Sequence, residues 1–186
     1  IFSERIDTLG FLATTLKREL RLGADEIEVF HGTLDDQKQQ GLVESFGTAA
    51  SPIRILLASD AASEGINLHY YCHRMVHFDL PLDPVTLEQR IGRLDRIGRT
   101  KDVEIVYFRC EKARPDVAGL YERLDLFARP SAGLDLALSG VREALERAER
   151  EESDLDQDAL CASIDAARSR TIADVPRVIY QDAYDE

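Results

Sequence analysis

The sequence has 186 residues, 44% of them hydrophobic, with 35 acidic against 23 basic side chains and a formal net charge of −12. That length suffices for one packed domain plus an appendage, and no apolar run approaches the roughly 20 residues a membrane-spanning helix needs. With no signal-like start either, the chain is expected to be cytoplasmic and to have no membrane partner. The acidic balance disfavours wrapping of a polyanion by the whole surface, so any nucleic acid must meet a local patch. Three cysteines, Cys72, Cys110 and Cys161, lack paired spacing, which argues against a disulfide framework or a four-cysteine zinc site and for small buried apolar residues.

Taken in order, the opening IFSER reads as a strand leaving a sheet, which suggests a fragment. Residues 7–22 place Leu9, Leu12, Ala13, Leu16 and Leu20 on one helical stripe, with Gly23 as the expected stop. Residues 27–30 form a short β-rich run, followed by His31-Gly32, an N-cap candidate at Thr33 or Asp35, and a helix over 37–46. Residues 53–58 are apolar enough for a strand covered on both faces, and Ser59-Asp60 follow at its carboxyl end. Another strand is expected over 76–80. Asp83-Pro84 then opens an amphipathic helix over 83–96, on which Arg93 and Arg96 share one side and Gly92 admits a close backbone.

A strand over 103–108 and a helix over 117–127 follow, then a linker at 130–133 and helices over 134–150 and 155–168. Residues 175–180 read as a short strand or docking segment. Strands alternating with helices imply a mainly parallel α/β sheet with helices on both faces, three layers in all, whose ligands sit at the carboxyl ends of the strands. Those ends carry Ser3-Glu4, His31-Gly32, Ser59-Asp60 and Asp79. Much of the acidity lies late, in ERAEREESDLDQD and QDAYDE. The run 149–158 reads as a solvated face, with an acidic flap competing for nucleic acid as the alternative.

Read together, four segments resemble the second RecA-like lobe of superfamily 2 helicases and translocases. IFSER resembles its motif IV and VFHGTLDDQKQQGLVESF the following segment; LLASDAASEGINL resembles motif V and QRIGRLDRIGR motif VI. The run FDLPLDPVTLEQRIGRLDRIGR is especially similar to bacterial Swi/Snf-type translocases of the RapA kind. The resemblance covers about the first 110 residues and implies a RecA-like lobe over 1–128, with an acidic, mainly helical extension over 129–186.

It further implies roles. Arg96 would be the arginine finger and Arg93 its companion on the γ-phosphate of ATP, with Gln89 ordering the helix and cleft. Gly65 and Asn67 would lie near the nucleotide and its ribose. Ser59, the backbone at Gly32 and the region of Ser3 would track a nucleic-acid phosphate strand, with duplex DNA the track that the resemblance favours. Ser59 stands where many relatives have Thr, keeping the hydroxyl, and Glu64-Gly65 stands where DEAD-box relatives have Arg-Gly. The implied partners are an N-terminal RecA-like lobe of the same protein, nucleic acid and proteins of a larger complex.

The chemistry behind those roles is independent of the name. A planar, permanently charged guanidinium can fork onto the equatorial oxygens of a phosphoryl-transfer transition state. Yet the sequence holds no GxxxxGK(S/T) loop to cradle phosphates or place Mg2+. The chain is therefore expected to supply half an active site and to be inactive alone.

Each motif also has a blander reading. Arg93 and Arg96 could form surface ion pairs with Glu88 and Asp95. His69, Cys72, His73 and His77 lie close together, but their spacing matches no common zinc site, and His73, Met75 and His77 alternate as on a buried strand; no metal is expected. Asp79 reads as structural, holding the arginine-bearing helix. A non-catalytic RecA-like scaffold and an RNA helicase lobe are the alternative functions, although a scaffold has no physical need for both arginines.

Overall fold

The structure, a computed structural model, describes residues 1–60, 68, 72–95, 101–109, 115–127, 135–151 and 153–174, with 135–136 and 170–174 described by backbone alone. The linker at 130–133, the segment 175–180, His69 and Cys110 lie outside these residues. Four strands are present among them: β1 (Ile27–Phe30), β2 (Ile55–Ala58), β3 (Arg74–His77) and β4 (Glu104–Tyr107). β1 pairs with β2 and β3 with β4, both parallel, in the registers Ile27↔Ile55 and Arg74↔Glu104. Phe2 joins the two pairs by parallel bridges to Ala58 and His77 at once. Its N–H reaches the Val76 carbonyl at 2.8 Å, and its own carbonyl accepts from Phe78 at 2.9 Å.

The first residues thus occupy the centre of the sheet, although they come first in sequence. From Phe2 the chain runs outward to β1, returns to β2, then passes to β3 and β4 on the far side. Right-handed crossovers in opposite directions put helices on opposite faces. Accordingly α1 (Ile6–Glu19) covers one face, where Leu9 and Leu12 pack on Ile27 and Leu57. On the other, Leu42, Val43 and Phe46 of α2 (Asp36–Phe46) meet Phe30, Leu56, Ala58, Phe2 and Met75. The alternation along β2, Leu57 to one side and Leu56 and Ala58 to the other, is the two-residue period of a strand buried on both faces.

Helix ends depart from expectation for local reasons. α1 stops at Glu19, before Gly23, because Arg21 takes a left-handed φ of 54° and the Leu22 N–H returns to the Lys17 carbonyl at 3.0 Å. This is a Schellman cap built on arginine; burial of Leu22 beside Leu16 holds the chain in it. Asp35 caps α2, accepting from the Lys38 N–H at 2.9 Å, while Thr33 Oγ1 pairs with His31 Nδ1 at 2.7 Å.

The arginine-bearing helix is shorter than expected. α3 (Pro84–Ile91) starts as foreseen, with Asp83 accepting from the Val85 N–H and Pro84 in the first turn, but ends at the Gly92 cap. There Arg93 N–H turns to the Arg90 carbonyl at 3.1 Å and Leu94 N–H to Ile91 at 3.0 Å. Those tighter bonds swing Leu94 into the sheet core, 2% exposed. β3 likewise begins two residues before the expected 76: Arg74 pairs with Glu104 at 2.6 Å on the strand surface, and Leu80 leaves for the helical cluster.

That cluster joins Leu87 of α3 to Leu120, Tyr121 and Leu124 near α4 (Val117–Arg123), Leu138, Val141 and Leu145 of α5 (Asp135–Glu151), and Ile164 of α6 (Gln157–Asp174). Tyr121 donates its hydroxyl to the Pro81 carbonyl at 2.7 Å, and Arg168 donates to the Leu124 carbonyl at 2.7 Å. The late acidic run is partly spent here: Asp158 pairs with Arg123 at 2.5 Å, and Asp156 accepts from the Ala159 N–H. No helix among the described residues is long and apolar enough to cross a membrane.

Candidate functional site

Two strand ends, at Asp60 and Asp79, converge on one side chain, that of Arg90, and Ser3 of the central strand between them holds Asp79. Although Glu88 and Gln89 beside it are exposed, Arg90 is fully buried. Its Nε and Nη2 donate to the two carboxylate oxygens of Asp60 at 2.5 and 2.7 Å, a forked pair. Nη1 donates to the Asp79 carbonyl at 2.8 Å and Nη2 to its Oδ1 at 3.2 Å. Asp79 is held in turn from the central strand, accepting from Ser3 Oγ at 2.5 Å and from the Glu4 N–H at 3.1 Å. Asp79 therefore holds the helix as foreseen, through Arg90.

The electrostatics follow from that cage. Burial alone would lower the Arg90 pKa, but hydrogen bonds and charge from Asp60 and Asp79 outweigh it and raise the pKa, so the guanidinium stays charged. His77, fully buried with Nδ1 at 3.5 Å from Arg90 Nη1, is pushed down to about 3, first by burial and then by the Arg90 cation. Its imidazole is neutral at any physiological pH. Cys72 and His73 lie just before β3, and the Cys72 thiol donates to the Arg74 carbonyl at 3.3 Å. Both Cys72 and Cys161 are half-buried free thiols, Cys72 packed against the sheet core and Cys161 against the helical cluster.

Arg93 is half-buried in the turn after α3 and therefore does not project from a helix face; its carbonyl accepts from the Leu68 N–H at 3.1 Å. Arg96 lies outside the described residues, as do Gly65 and Asn67. Gln89 is exposed on the last turn of α3. Gly92 admits no foreign backbone among the described residues: an added Cβ would meet the carbonyl oxygens of Glu88 at 3.2 Å and Gln89 at 3.7 Å, both of its own helix. Gly92 stands at the cap of the helix with right-handed backbone angles, φ −62° and ψ −8°. Ser3 and Ser59 are both buried, and Ser59 Oγ has no hydrogen-bond partner among the described residues, whereas the Ser3 hydroxyl is committed to Asp79. Gly32 is exposed in the turn that the Leu34 N–H closes onto the His31 carbonyl at 3.1 Å.

Arg90 itself was not singled out from the sequence. The available signal was a basic residue on the buried stripe of α3, three positions after Leu87 and six after Pro84, together with two aspartates at neighbouring strand ends. A cavity of ≈ 250 Å³ lined by Phe2, Leu56, Met75 and Leu94 is apolar and includes none of the expected site residues. The chemistry belongs to the carboxyl edge instead.

A parallel sheet whose strand order reverses at its centre, with an arginine-bearing segment locked to its carboxyl edge, is the architecture of a RecA-like lobe. Residues 1–98 match the family described as helicase conserved C-terminal domain, and the chain belongs to it. It is 38% identical over 92 residues to the uncharacterized ATP-dependent helicase YqhH of Bacillus subtilis, covering 48% of this chain and 16% of that protein. Over 101 residues it is 40% identical to the RNA polymerase-associated protein RapA of Serratia proteamaculans, covering 53% of this chain and 10% of that one.

The chain thus spans between a tenth and a sixth of the length of these curated relatives. Among solved structures it shares its fold with the C-terminal part of the Fun30 ATPase domain, at TM-score 0.54 and 20% identity over 92% of this chain and 47% of that one. It also shares it with domain 2 of the DEAD-box helicase Mss116p bound to an RNA duplex, at TM-score 0.52 and 17% identity over 93% and 73%. The superfamily 2 C-terminal lobe read from the motifs, its likeness to RapA and the RecA-like fold are all borne out.

Proposed function

We propose that this chain is the C-terminal motor lobe of an ATP-dependent nucleic-acid translocase acting in the cytoplasm, with duplex DNA as its track. The observation that carries the reading is the QRIGRLDR segment, fixed to the strand ends by a fully buried arginine. In it Arg93 and Arg96 serve as the cations that close on the γ-phosphate of ATP, and Gln89, Gly65 and Asn67 flank the nucleotide. A guanidinium suits this task, because the charge it meets develops only as the phosphoryl group transfers.

An N-terminal RecA-like lobe of the same protein supplies the phosphate loop and the Mg2+ ligands, so this lobe alone does not turn over ATP. The exposed backbone at Gly32 is the open contact to a nucleic-acid strand; the Ser59 hydroxyl is spare but buried and must be uncovered to make one, and at Ser3 a contact must compete with Asp79. Residues 1–128 form the lobe proper and 129–186 its extension, which braces α3 through the shared core. Proteins of a larger assembly, as the RNA polymerase association in the name of a relative suggests, are further partners.

The test is ATP hydrolysis by the full-length protein with duplex DNA, single-stranded DNA and RNA added separately. Stimulation by duplex DNA above the others is expected. Stimulation by RNA alone would make this an RNA helicase lobe, and a full-length sequence without a phosphate-loop lobe would make it a scaffold.

A further inference from the structure

We infer that Arg90 is a positioning residue for the arginine-bearing turn: its caged guanidinium pins the end of α3 to the ends of β2 and β3, so that Arg93, three residues on, keeps one orientation. The inference rests on the proposed role of Arg93 as an ATP-facing cation. Its basis is the geometry of a buried charge that stability alone does not require, since a buried ion pair exchanged for apolar groups of similar volume is often neutral or stabilising.

What the pair supplies is direction. A guanidinium offers five N–H donors in a fixed plane. Here donors at Nε, Nη1 and Nη2 reach Asp60, the Asp79 carbonyl and the Asp79 carboxylate, which come from two different strand ends. A lysine presents one ammonium and cannot fork onto Asp60 while also reaching the Asp79 carbonyl. Asp79 is itself anchored to Ser3 and Glu4, so the strut is fixed to the central strand.

The turn is pinned from its other side as well. Leu94 is buried in the sheet core, and the Arg93 carbonyl accepts from Leu68. Residues 91–93 therefore span two anchors, Arg90 and Leu94, and have little freedom between them. Removing the first anchor leaves the turn held only by the packing of Ile91 and Leu94 and by the Leu68 bond, none of which fixes it to the strand ends.

The experiment uses the full-length protein with three substitutions. The double variant Arg90→Met/Asp60→Asn removes both charges of the forked pair, and Asp79 keeps Ser3 and Glu4. Arg90→Lys keeps a charge without the fork. Amide hydrogen exchange at Arg93, Leu94 and Asp95 is read beside the ATP kcat and KM and the melting temperature. In the double variant exchange at these three amides is expected to rise about tenfold or more with α1 unchanged. Its kcat should fall about 10- to 100-fold at near-constant KM for ATP, with melting within a few degrees of the parent. Arg90→Lys should fall between.

Parent-like exchange and kcat in a folded double variant would overturn the inference, because a merely structural pair would be replaced without loss. Should the double variant not fold, Arg90→Lys decides by the same comparison. If the unaltered protein shows no ATPase, the reading of Arg93 fails, and the exchange data still decide whether Arg90 holds the turn.

Discussion

His77 sits against a permanent cation in a place where water cannot compensate a second charge. Its pKa, lowered to about 3 by burial and then by Arg90, differs from the ordinary value of 6.5 that applies in the unfolded chain. Below 6.5 the unfolded chain binds a proton that the folded one refuses, so folding stability contributed by His77 is complete above that pH and is lost as pH falls toward 3. The expected slope is up to about 1.4 kcal/mol per pH unit. Denaturant unfolding of the chain at several pH values between 7 and about 4 checks it, and His77→Gln should flatten the curve in that window.

At this same scale the sequence was legible only in part. Asp83 as a cap could be read directly, because a capping hydrogen bond follows spacing; Asp79 could be read as structural, but its partners Ser3, Glu4 and Arg90 could not. Arg90 could not, because its two aspartates lie 30 residues before it and 11 before it. Only the sheet order brings those strand ends together. In a motif rich in arginine, composition does not say which guanidinium is buried.

Among elements, α3 carries the most consequence, since it has one side toward the sheet and the other toward the helical cluster. Its Leu87 is fully buried among Leu120, Tyr121 and Val141. Leu87→Ala should therefore cost about 2–5 kcal/mol in unfolding free energy, whereas Leu20→Ala, on a side chain 54% exposed, should stay within about 0.5 kcal/mol. Asp83 caps the helix and faces Arg142 of α5 at 3.6 Å, so Asp83→Ala should lose about 0.5–2 kcal/mol, mostly from the cap. Urea denaturation of the three variants ranks them.

Periodicity placed these elements well where burial follows one rule. β1 spans the expected 27–30, and α2 begins one residue before its expected start. It failed where tertiary contacts overrode the local pattern. The pattern to Arg96 suggested a continuous helix, but Leu94 is drawn into the sheet core and the helix ends early, at Gly92. The stripe through Leu20 likewise continued past the cap that burial of Leu22 imposes.

For the whole molecule, the helical cluster shares its core across the boundary expected at 128–129. Leu87 and Tyr121 lie before that boundary; Leu138, Val141, Leu145 and Ile164 lie after it. A chain cut after residue 128 should expose the first set and unfold at lower denaturant or self-associate, as size-exclusion chromatography and urea titration would show. Retention of full stability after the cut would make the extension a separate unit.

In the proposed function this lobe brings arginines to an ATP held mainly by another lobe. Steady-state ATP turnover by the full-length protein, compared with Arg93→Ala and Arg96→Ala at saturating nucleic acid, tests it most directly. A loss of about 10³-fold or more is expected for Arg96→Ala, with a substantial loss for Arg93→Ala and unchanged folding for both. Turnover equal to that of the unaltered protein in both variants would contradict it.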